Sequence, residues 1–243
     1  MTTTNLTNNQ LVNLIDLTLL TDNDTEADII NLCNQATTPL GNVAAICIHP
    51  QFVKLAATHI NQNDISIATV VNFPSGNEPL SVTLNLIKQC LLDGANEIDL
   101  VMPYTKLLSG NVAYVKEYIS ACKQLLTQHS LKIILETGAL IDDKNITLAS
   151  QIAIECGANF IKTSTGKNHP GANPKAISSI INTIQKSNST PGIKVSGGVR
   201  DIATAQQYYK QIISSLGQKY ACKSKLRFGA STLLHDIIKT INS

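Results

Sequence analysis

Short apolar runs alternate along the whole chain with longer stretches of helical periodicity. Eight of these runs are typical of buried strands, and they are IDLT from Ile15, VAAICI from Val43, ISIATVVN from Ile65, IDLVM from Ile98, KIILE from Lys132, FIKT from Phe160, IKVS from Ile193 and LRFG from Leu226. Successive runs start 22 to 34 residues apart, which suits one strand followed by one crossover helix. The IDLT run is the weakest strand prediction.

The stretches between the runs predict amphipathic helices. Two apolar stripes have helical spacing, one made of Leu80, Leu84, Ile87 and Leu91 and the other of Val112, Val115, Ile119, Cys122 and Leu126. Pro174 suits the first turn of a helix. Gly157 and Gly217 suit helix ends, and Asp201 and Ser231 suit N-caps.

Eight strand–helix units predict an α/β fold, a single-domain (β/α)8 TIM barrel that spans residues 1–243. The alternative is an open, doubly wound parallel sheet. The chain has 243 residues and is 43% hydrophobic, so it can bury one substantial core. The polar start of the sequence, residues 1–14, predicts a short N-terminal cap over one end of the barrel.

Polar side chains interrupt several of the predicted strands. They are Asp16, Asp99, Lys132, Glu136, Lys162 and Lys194. Parallel strands buried on both faces are normally apolar, so these exceptions are informative. In a barrel several of them could converge on one interior site, and barrel enzymes place their active sites at the carboxyl ends of the strands.

Lys162 and Lys194 lie on predicted strands six and seven, which are neighbours in a barrel. Two ammonium groups that are close together and buried both favour the neutral amine, which is the nucleophile that Schiff-base chemistry needs. Asp99, on predicted strand four, could neutralise the remaining ammonium and pass a proton. Two plainer interpretations stay open at this point: a lysine on the barrel rim that reaches water, and a simple interior ion pair of Asp99 with Lys194.

Glycine-rich loops follow the last three strands and favour a phosphate site. They are STGK from Ser164, SGGVR from Ser196 and GAST from Gly229. Glycines let backbone N–H groups approach an anion, and many barrels bind phosphate after strands seven and eight. The only two arginines of the sequence, Arg200 and Arg227, flank the same region. STGK is not a P-loop, because the upstream glycine is missing and Asn168 follows.

Charge and cysteine content narrow the function classes. Nineteen basic and seventeen acidic residues give a net charge of +2, which does not call for nucleic acid or an acidic membrane as partner. The N-terminus has no signal-peptide pattern, and no apolar run approaches the roughly 18 residues of a membrane span. We therefore expect a soluble, cytoplasmic protein. Six scattered cysteines and five scattered histidines predict reduced thiols and no metal site.

The motifs taken together resemble those of the deoxyribose-phosphate aldolase family. The resemblance runs from Asp16 to Leu234 through DLTLL, AAICIHP, IATVVNFPSG, EIDLVMPY, KIILETG, NFIKTSTGK, IKVSGGVR and RFGASTLL. It implies a class I aldolase on a (β/α)8 barrel that uses no metal or cofactor. The expected reaction is the reversible cleavage of 2-deoxy-D-ribose 5-phosphate to D-glyceraldehyde 3-phosphate and acetaldehyde.

The resemblance also implies roles for particular residues. Lys162 would form the Schiff base, and Lys194 would perturb its pKa and share a proton relay with Asp99. The phosphate would be bound by Gly166, Lys167, Gly197, Gly198 and Ser231. Asp16 and Thr165 are weaker candidates for contacts to substrate hydroxyls.

Two features depart from the family pattern, and two other functions stay open. Val195 stands where many members have proline. The sequence ends in KTINS, where some members have a tail with a terminal tyrosine that assists proton transfer. If such assistance occurs here it needs another group, and otherwise the rate is expected to be lower. The partner expected is a small phosphorylated sugar, and a homodimer stays open. The alternatives are a transaldolase-like Schiff-base enzyme and a barrel that only binds sugar phosphates.

Overall fold

Eight parallel strands close into a barrel in the computed structural model, which describes residues 5–60 and 64–241. The strands are β1 (Ile15–Thr18), β2 (Ala45–Ile48), β3 (Ser66–Val71), β4 (Glu97–Val101), β5 (Ser130–Ile134), β6 (Phe160–Lys162), β7 (Gly192–Ser196) and β8 (Leu226–Ala230). Each strand pairs with the next, and β1 pairs with both β2 and β8. The predicted single-domain (β/α)8 barrel is confirmed, and the weakly predicted IDLT run is the strand that closes it.

Helices follow the strands around the outside of the barrel. They are α1 (Asn8–Val12), α2 (Glu26–Gln35), α3 (Val53–His59), α4 (Leu80–Leu92), α5 (Tyr104–Leu108), α6 (Val112–Gln124), α7 (Thr137–Leu140), α8 (Asp143–Glu155), α9 (Pro174–Lys186), α10 (Ile202–Leu216) and α11 (Leu233–Lys239). Short 3-10 turns span Pro50–Phe52 and Gln218–Tyr220, and a small hairpin joins Thr37–Thr38 to Gly41–Asn42. Within the described residues, no helix is both long and apolar enough to span a bilayer.

The helix boundaries follow the sequence signals at most of the predicted positions. Pro174 opens α9, Asp201 caps α10 by accepting a hydrogen bond from the Thr204 N–H, and Gly217 ends α10 with φ of 84°. The prediction of Ser231 as an N-cap is wrong. Strand β8 runs to Ala230, so α11 begins only at Leu233 with Thr232 in the N-cap position.

The N-terminal segment predicted as a cap is described from residue 5 onward; residues 1–4 lie outside the described part. Thr7 and Gln10 form a capping box that starts α1. Leu11 and Val12 are buried in the main core, where α1 packs against α11 and the small hairpin. Its role as a cap over the barrel end stays a prediction.

Side chains alternate along each strand between the helices and the barrel interior. On β4, Ile98 and Leu100 belong to the large apolar core, whereas Glu97 and Asp99 take the other face. The corresponding positions of β2 and β3 are small and apolar, and they form a separate cluster of Leu20, Ala45, Cys47, Ala68 and Val70 with Phe73 against it. The barrel interior therefore has an apolar side, from β2 and β3, and a charged side from the other strands.

Candidate active site

Strand register brings the charged residues of the barrel interior together. Lys162 on β6 is directly paired with Lys194 on β7, and Lys194 is paired in turn with Arg227 on β8. On the other side, Asp99 on β4 is paired with Lys132 on β5. Residues in register on neighbouring parallel strands face the same side of the sheet, so all five side chains point into one space.

Asp99 is the acceptor shared by three lysines. Its Oδ1 lies 2.8 Å from Lys132 Nζ, and its Oδ2 lies 2.7 Å from both Lys162 Nζ and Lys194 Nζ. Asp99, Lys132 and Lys194 have no exposed surface, and Lys162 is only 2% exposed. The sequence-predicted trio of Asp99, Lys162 and Lys194 is therefore brought into direct contact.

Two further carboxylates, those of Asp16 and Glu97, belong to the same network of ion pairs. Asp16 places Oδ2 at 2.6 Å from Lys194 Nζ and Oδ1 at 2.6 Å from Arg227 Nη1. Glu97 pairs with Lys132 and accepts from Arg227 Nη2 at 3.0 Å. The expectation that Arg227 flanks the phosphate region is wrong, because register with Lys194 turns its side chain into the barrel.

The network contains one more cation than carboxylate. Its carboxylates are Asp16, Glu97 and Asp99, and its cations are Lys132, Lys162, Lys194 and Arg227. Charges that are taken out of water need partners. The charges of this network sum to zero only when one of the four cations is neutral.

The pKa shifts show which cation gives up its proton most easily. Burial lowers the pKa of Lys194, but Asp16 and Asp99 outweigh that effect and hold the net pKa well above its ordinary value. Burial is likewise outweighed at Lys132 by Asp99 and Glu97 and at Arg227 by Asp16 and Glu97, so both pKa values are raised. Lys162 is the exception. Burial lowers its pKa, Asp99 opposes this, Lys194 adds to it, and the net pKa is lowered.

Asp99 and Asp16 stay ionised although they are buried. Burial raises the pKa of Asp99, but Lys132, Lys162 and Lys194 hold the net pKa well below the usual range. The pKa of Asp16 is lowered in the same way, with Lys194 and Arg227 outweighing burial. Because these partners keep their charge, the lysine that approaches the neutral state is the one nearest to solvent, Lys162.

Lys162 opens into a pocket of about 310 Å³ at the carboxyl ends of the strands. The residues of the predicted site that line this pocket are Lys162, Thr165, Gly166, Lys167, Gly197, Gly198 and Ser231. Asp16, Asp99 and Lys194 are fully buried and do not line the pocket. Asp16, expected to contact a substrate hydroxyl, instead has both oxygens in ion pairs.

The part of the pocket that is lined by the loops after β6 and β7, here called the anion end, has the features of an anion site. Gly166, Gly197 and Gly198 all have positive φ, between 77° and 94°, a conformation that suits glycine. A side chain on Gly171 would overlap the Gly197 carbonyl, so the loops after β6 and β7 are in close contact. Lys167 and Arg200 line this end, and Lys167 Nζ lies 3.3 Å from Asp22 Oδ1.

Sequence reasoning missed part of this site. Glu97 lies one residue before the predicted strand IDLVM. Lys132 is visible in the sequence only as a polar interruption of the predicted strand KIILE. Glu136, predicted inside strand five, lies two residues beyond its end in a left-handed conformation. A charge inside or next to an apolar run was the available signal in each case, but the partners of that charge depend on strand register. Within the described residues, no group of three or more His, Cys, Asp or Glu side chains could hold a metal ion.

Comparison with known proteins agrees with this fold. The chain resembles the solved structure of a candidate deoxyribose-phosphate aldolase from Coccidioides immitis, at 26% identity and a TM-score of 0.88 over 98% of this chain and 88% of that one. It also resembles the deoxyribose-phosphate aldolase from Aeropyrum pernix, a tetramer in its structure, at 26% identity and a TM-score of 0.78 over 98% of this chain and 93% of that one. An aldolase designated QR15 matches at 26% identity and a TM-score of 0.81 over 96% of both chains.

A family model covers nearly the whole barrel. The model of the DeoC/LacD family aldolases matches residues 11–237, which includes all eight strands and every residue of the buried charge network. With this match over most of its length, and with a lysine of lowered pKa and glycine loops lining one pocket, the chain belongs to the DeoC/LacD family of aldolases.

Proposed function

We propose that this aldolase reversibly cleaves 2-deoxy-D-ribose 5-phosphate to D-glyceraldehyde 3-phosphate and acetaldehyde through a Schiff base on Lys162. One observation supports this most strongly. Lys162 alone among the four interior cations has a lowered pKa, and it alone reaches the pocket. An amine that loses its proton more readily than an ordinary lysine and faces a substrate pocket is suited to attack a carbonyl carbon.

The first half of the reaction forms an imine. Neutral Lys162 adds to the C1 aldehyde of the open-chain sugar and gives a carbinolamine. Loss of water gives a protonated imine, whose positive nitrogen can accept an electron pair. Asp99 Oδ2, which lies 2.7 Å from the Lys162 nitrogen, stabilises that positive charge as it develops.

The second half breaks the C2–C3 bond. A water held by Asp99 and Lys194 removes the proton of the C3 hydroxyl, and the electrons of the C2–C3 bond move to the imine nitrogen. This gives glyceraldehyde 3-phosphate and an enamine on Lys162. The enamine takes a proton at C2, and water hydrolyses the resulting imine, which frees acetaldehyde and the neutral lysine.

Phosphate binding supplies orientation. The anion end of the pocket is lined by Lys167, Arg200 and the loops with Gly166, Gly197 and Gly198. A phosphate bound there would fix the sugar so that C1 meets Lys162, and binding energy remote from the reacting bond then lowers the barrier.

Reductive trapping tests this function. The protein is incubated with acetaldehyde and borohydride, digested, and analysed by peptide mass mapping. We expect one ethyl adduct, on the peptide that contains Lys162, and none in a Lys162→Met variant. An adduct on another lysine, or none in the native protein, would refute the mechanism.

A coupled assay tests the substrate. The assay measures the release of glyceraldehyde 3-phosphate from deoxyribose 5-phosphate and, in the reverse direction, its condensation with acetaldehyde as the only donor. These two reactions distinguish the proposed activity from that of a transaldolase-like enzyme. The same proposal includes a role in deoxyribonucleotide breakdown in the cytoplasm, which follows from the substrate and the resemblance.

A further inference from the structure

Glu136 lies at the turn that joins β5 to α7, and its backbone is strained. Its φ and ψ are 58° and 62°, the left-handed region. A residue other than glycine pays of order 1 kcal/mol or more to stay there, and such strain concentrates at functional sites. The turn directs the next residue toward the loop after β6, where the Thr137 N–H donates to the Thr163 carbonyl at 2.9 Å.

The Glu136 side chain continues this contact to a pocket residue. It is fully buried, and its Oε2 accepts a hydrogen bond from the Thr165 N–H at 3.2 Å. Thr165 Oγ1 in turn accepts from the Lys167 N–H at 3.2 Å. The carboxylate is therefore linked through two hydrogen bonds to the residue whose ammonium lies at the anion end of the pocket.

The other oxygen of Glu136 has no hydrogen-bond partner within the described part of the chain. Leaving a buried polar atom unsatisfied is costly. Glu136 is buried, its backbone is strained, and one of its two carboxylate oxygens is unsatisfied, so the residue adds little to stability. Its hydrogen bond from the Thr165 N–H therefore indicates a role other than stability. Burial raises the pKa of the neighbouring Tyr104, and the Glu136 carboxylate adds to this effect.

Ser196 holds the opposite flank of the same segment. Its Oγ donates to the Ser164 carbonyl at 2.6 Å, and its N–H donates to Thr163 Oγ1 at 3.0 Å. These contacts fix the residues next to Lys162. Beyond them, Glu136 is the group that holds Thr165, where the segment turns from the lysine toward the anion end.

We propose that Glu136 is a positioning residue, which holds the Thr165–Lys167 loop at the distance from Lys162 that fits a phosphorylated substrate. It thereby sets the preference for phosphorylated over unphosphorylated aldehydes. This inference rests on the proposed function, because it assumes that Lys162 binds the aldehyde and the loop binds phosphate.

A pair of amide variants tests the inference. Glu136→Gln keeps the reach and the acceptor, whereas Glu136→Asn is shorter by one carbon, about 1.5 Å, and still tolerates the left-handed backbone. For Glu136→Asn we expect KM for deoxyribose 5-phosphate to rise about tenfold, the effect of one lost hydrogen bond, with kcat and the KM for 2-deoxyribose little changed. Glu136→Gln should restore the native KM.

Two controls keep the outcomes distinct. Trapping of acetaldehyde on Lys162 should be equal in both variants and the native protein; failure of the native protein to trap would refute the proposed function itself. With trapping intact, an equal loss for both substrates, or identical behaviour of the two variants, would overturn the positioning role. If Glu136→Asn does not fold, Glu136→Gly repeats the test, because glycine adopts this φ without strain.

Discussion

Lys162 and Lys194 are in register on adjacent strands and donate to the same oxygen of Asp99, each at 2.7 Å. Their pKa values nevertheless move in opposite directions. The difference lies in Asp16, which pairs with Lys194 at 2.6 Å. The two lysines share one carboxylate oxygen but differ in protonation. Lys194 stays an ammonium, whereas Lys162 can lose its proton.

Replacing Lys194 by leucine should shift the pH profile. Burial is the main cause of the lowered pKa of Lys162, and Lys194 adds to it. Without Lys194 the pKa of Lys162 rises, so less of the amine is neutral at pH 7. We expect the acid limb of kcat/KM to move to higher pH and turnover at neutral pH to fall. Unchanged activity at pH 7 would contradict the pairing.

Lys132→Leu is the matched control for that experiment. Like Lys194→Leu, it removes a buried lysine partner of Asp99, whose Oδ1 lies 2.8 Å from Lys132 Nζ. The free energy of unfolding should fall to a similar degree in both variants, on the order of 3–5 kcal/mol. Lys132 is not among the main causes of the pKa shift of Lys162, whereas Lys194 is. The acid limb should therefore move less than in Lys194→Leu.

Asp99→Asn should separate imine formation from turnover. Asp99 opposes the lowering of the Lys162 pKa, so without its charge the amine is neutral at still lower pH. Trapping of acetaldehyde should persist and extend to more acidic solution. The loss of the proton relay should lower kcat on the order of 100-fold. Parallel loss of trapping and turnover would argue against a role in proton transfer.

Lys162→Met should stabilise the fold at neutral pH. A lysine whose pKa is lowered on folding binds fewer protons in the native than in the unfolded state, so stability rises with pH from the lowered pKa up to about 10.4, the unfolded value. The variant removes this cost. We expect a Tm higher by about 2–4 °C at pH 7, with the difference shrinking toward pH 10. Thermal unfolding across pH 6–10 measures both curves.

Asp22→Asn should tighten phosphate binding. Asp22 Oδ1 lies 3.3 Å from Lys167 Nζ and is largely exposed, so its carboxylate competes with a phosphate for this ammonium. Exposed pairs are weak, and we expect KM for deoxyribose 5-phosphate to fall about twofold to threefold, less so in high salt. Glu155→Gln, which removes the exposed pair with Lys116, is the control and should leave KM unchanged.

The sequence predicted the barrel because strand spacing and helix periodicity repeat eight times. It also singled out Lys162, Lys194 and Asp99, since a charge in a buried apolar strand needs a partner. It misplaced Arg227 because the direction of a strand side chain depends on register with its neighbours, which sequence spacing does not specify. Arg227 belongs to the predicted strand LRFG and flanks the glycine loops in the sequence, whereas the structure pairs it with Lys194 and turns its side chain into the barrel.

Local chemistry misled in two further places. Ser231 is a good N-cap by residue type, but β8 continues to Ala230 and delays the helix to Leu233. Glu136 follows an apolar run and looks like its last strand residue, whereas the strand ends at Ile134. The positive φ of Glu136 arises from tertiary contacts with the neighbouring loop, which no local pattern indicates.

The pairing of β1 with β8 links the charge network to the closure of the barrel. Asp16 is among the first residues of the barrel to be synthesised, and its partner Arg227 is separated from it by 211 positions. During translation Asp16 is synthesised 211 positions before Arg227. A contact of such sequence separation forms late, so the nascent protein should acquire a reactive lysine only when the last strand docks, and an unfinished barrel should not modify cellular aldehydes.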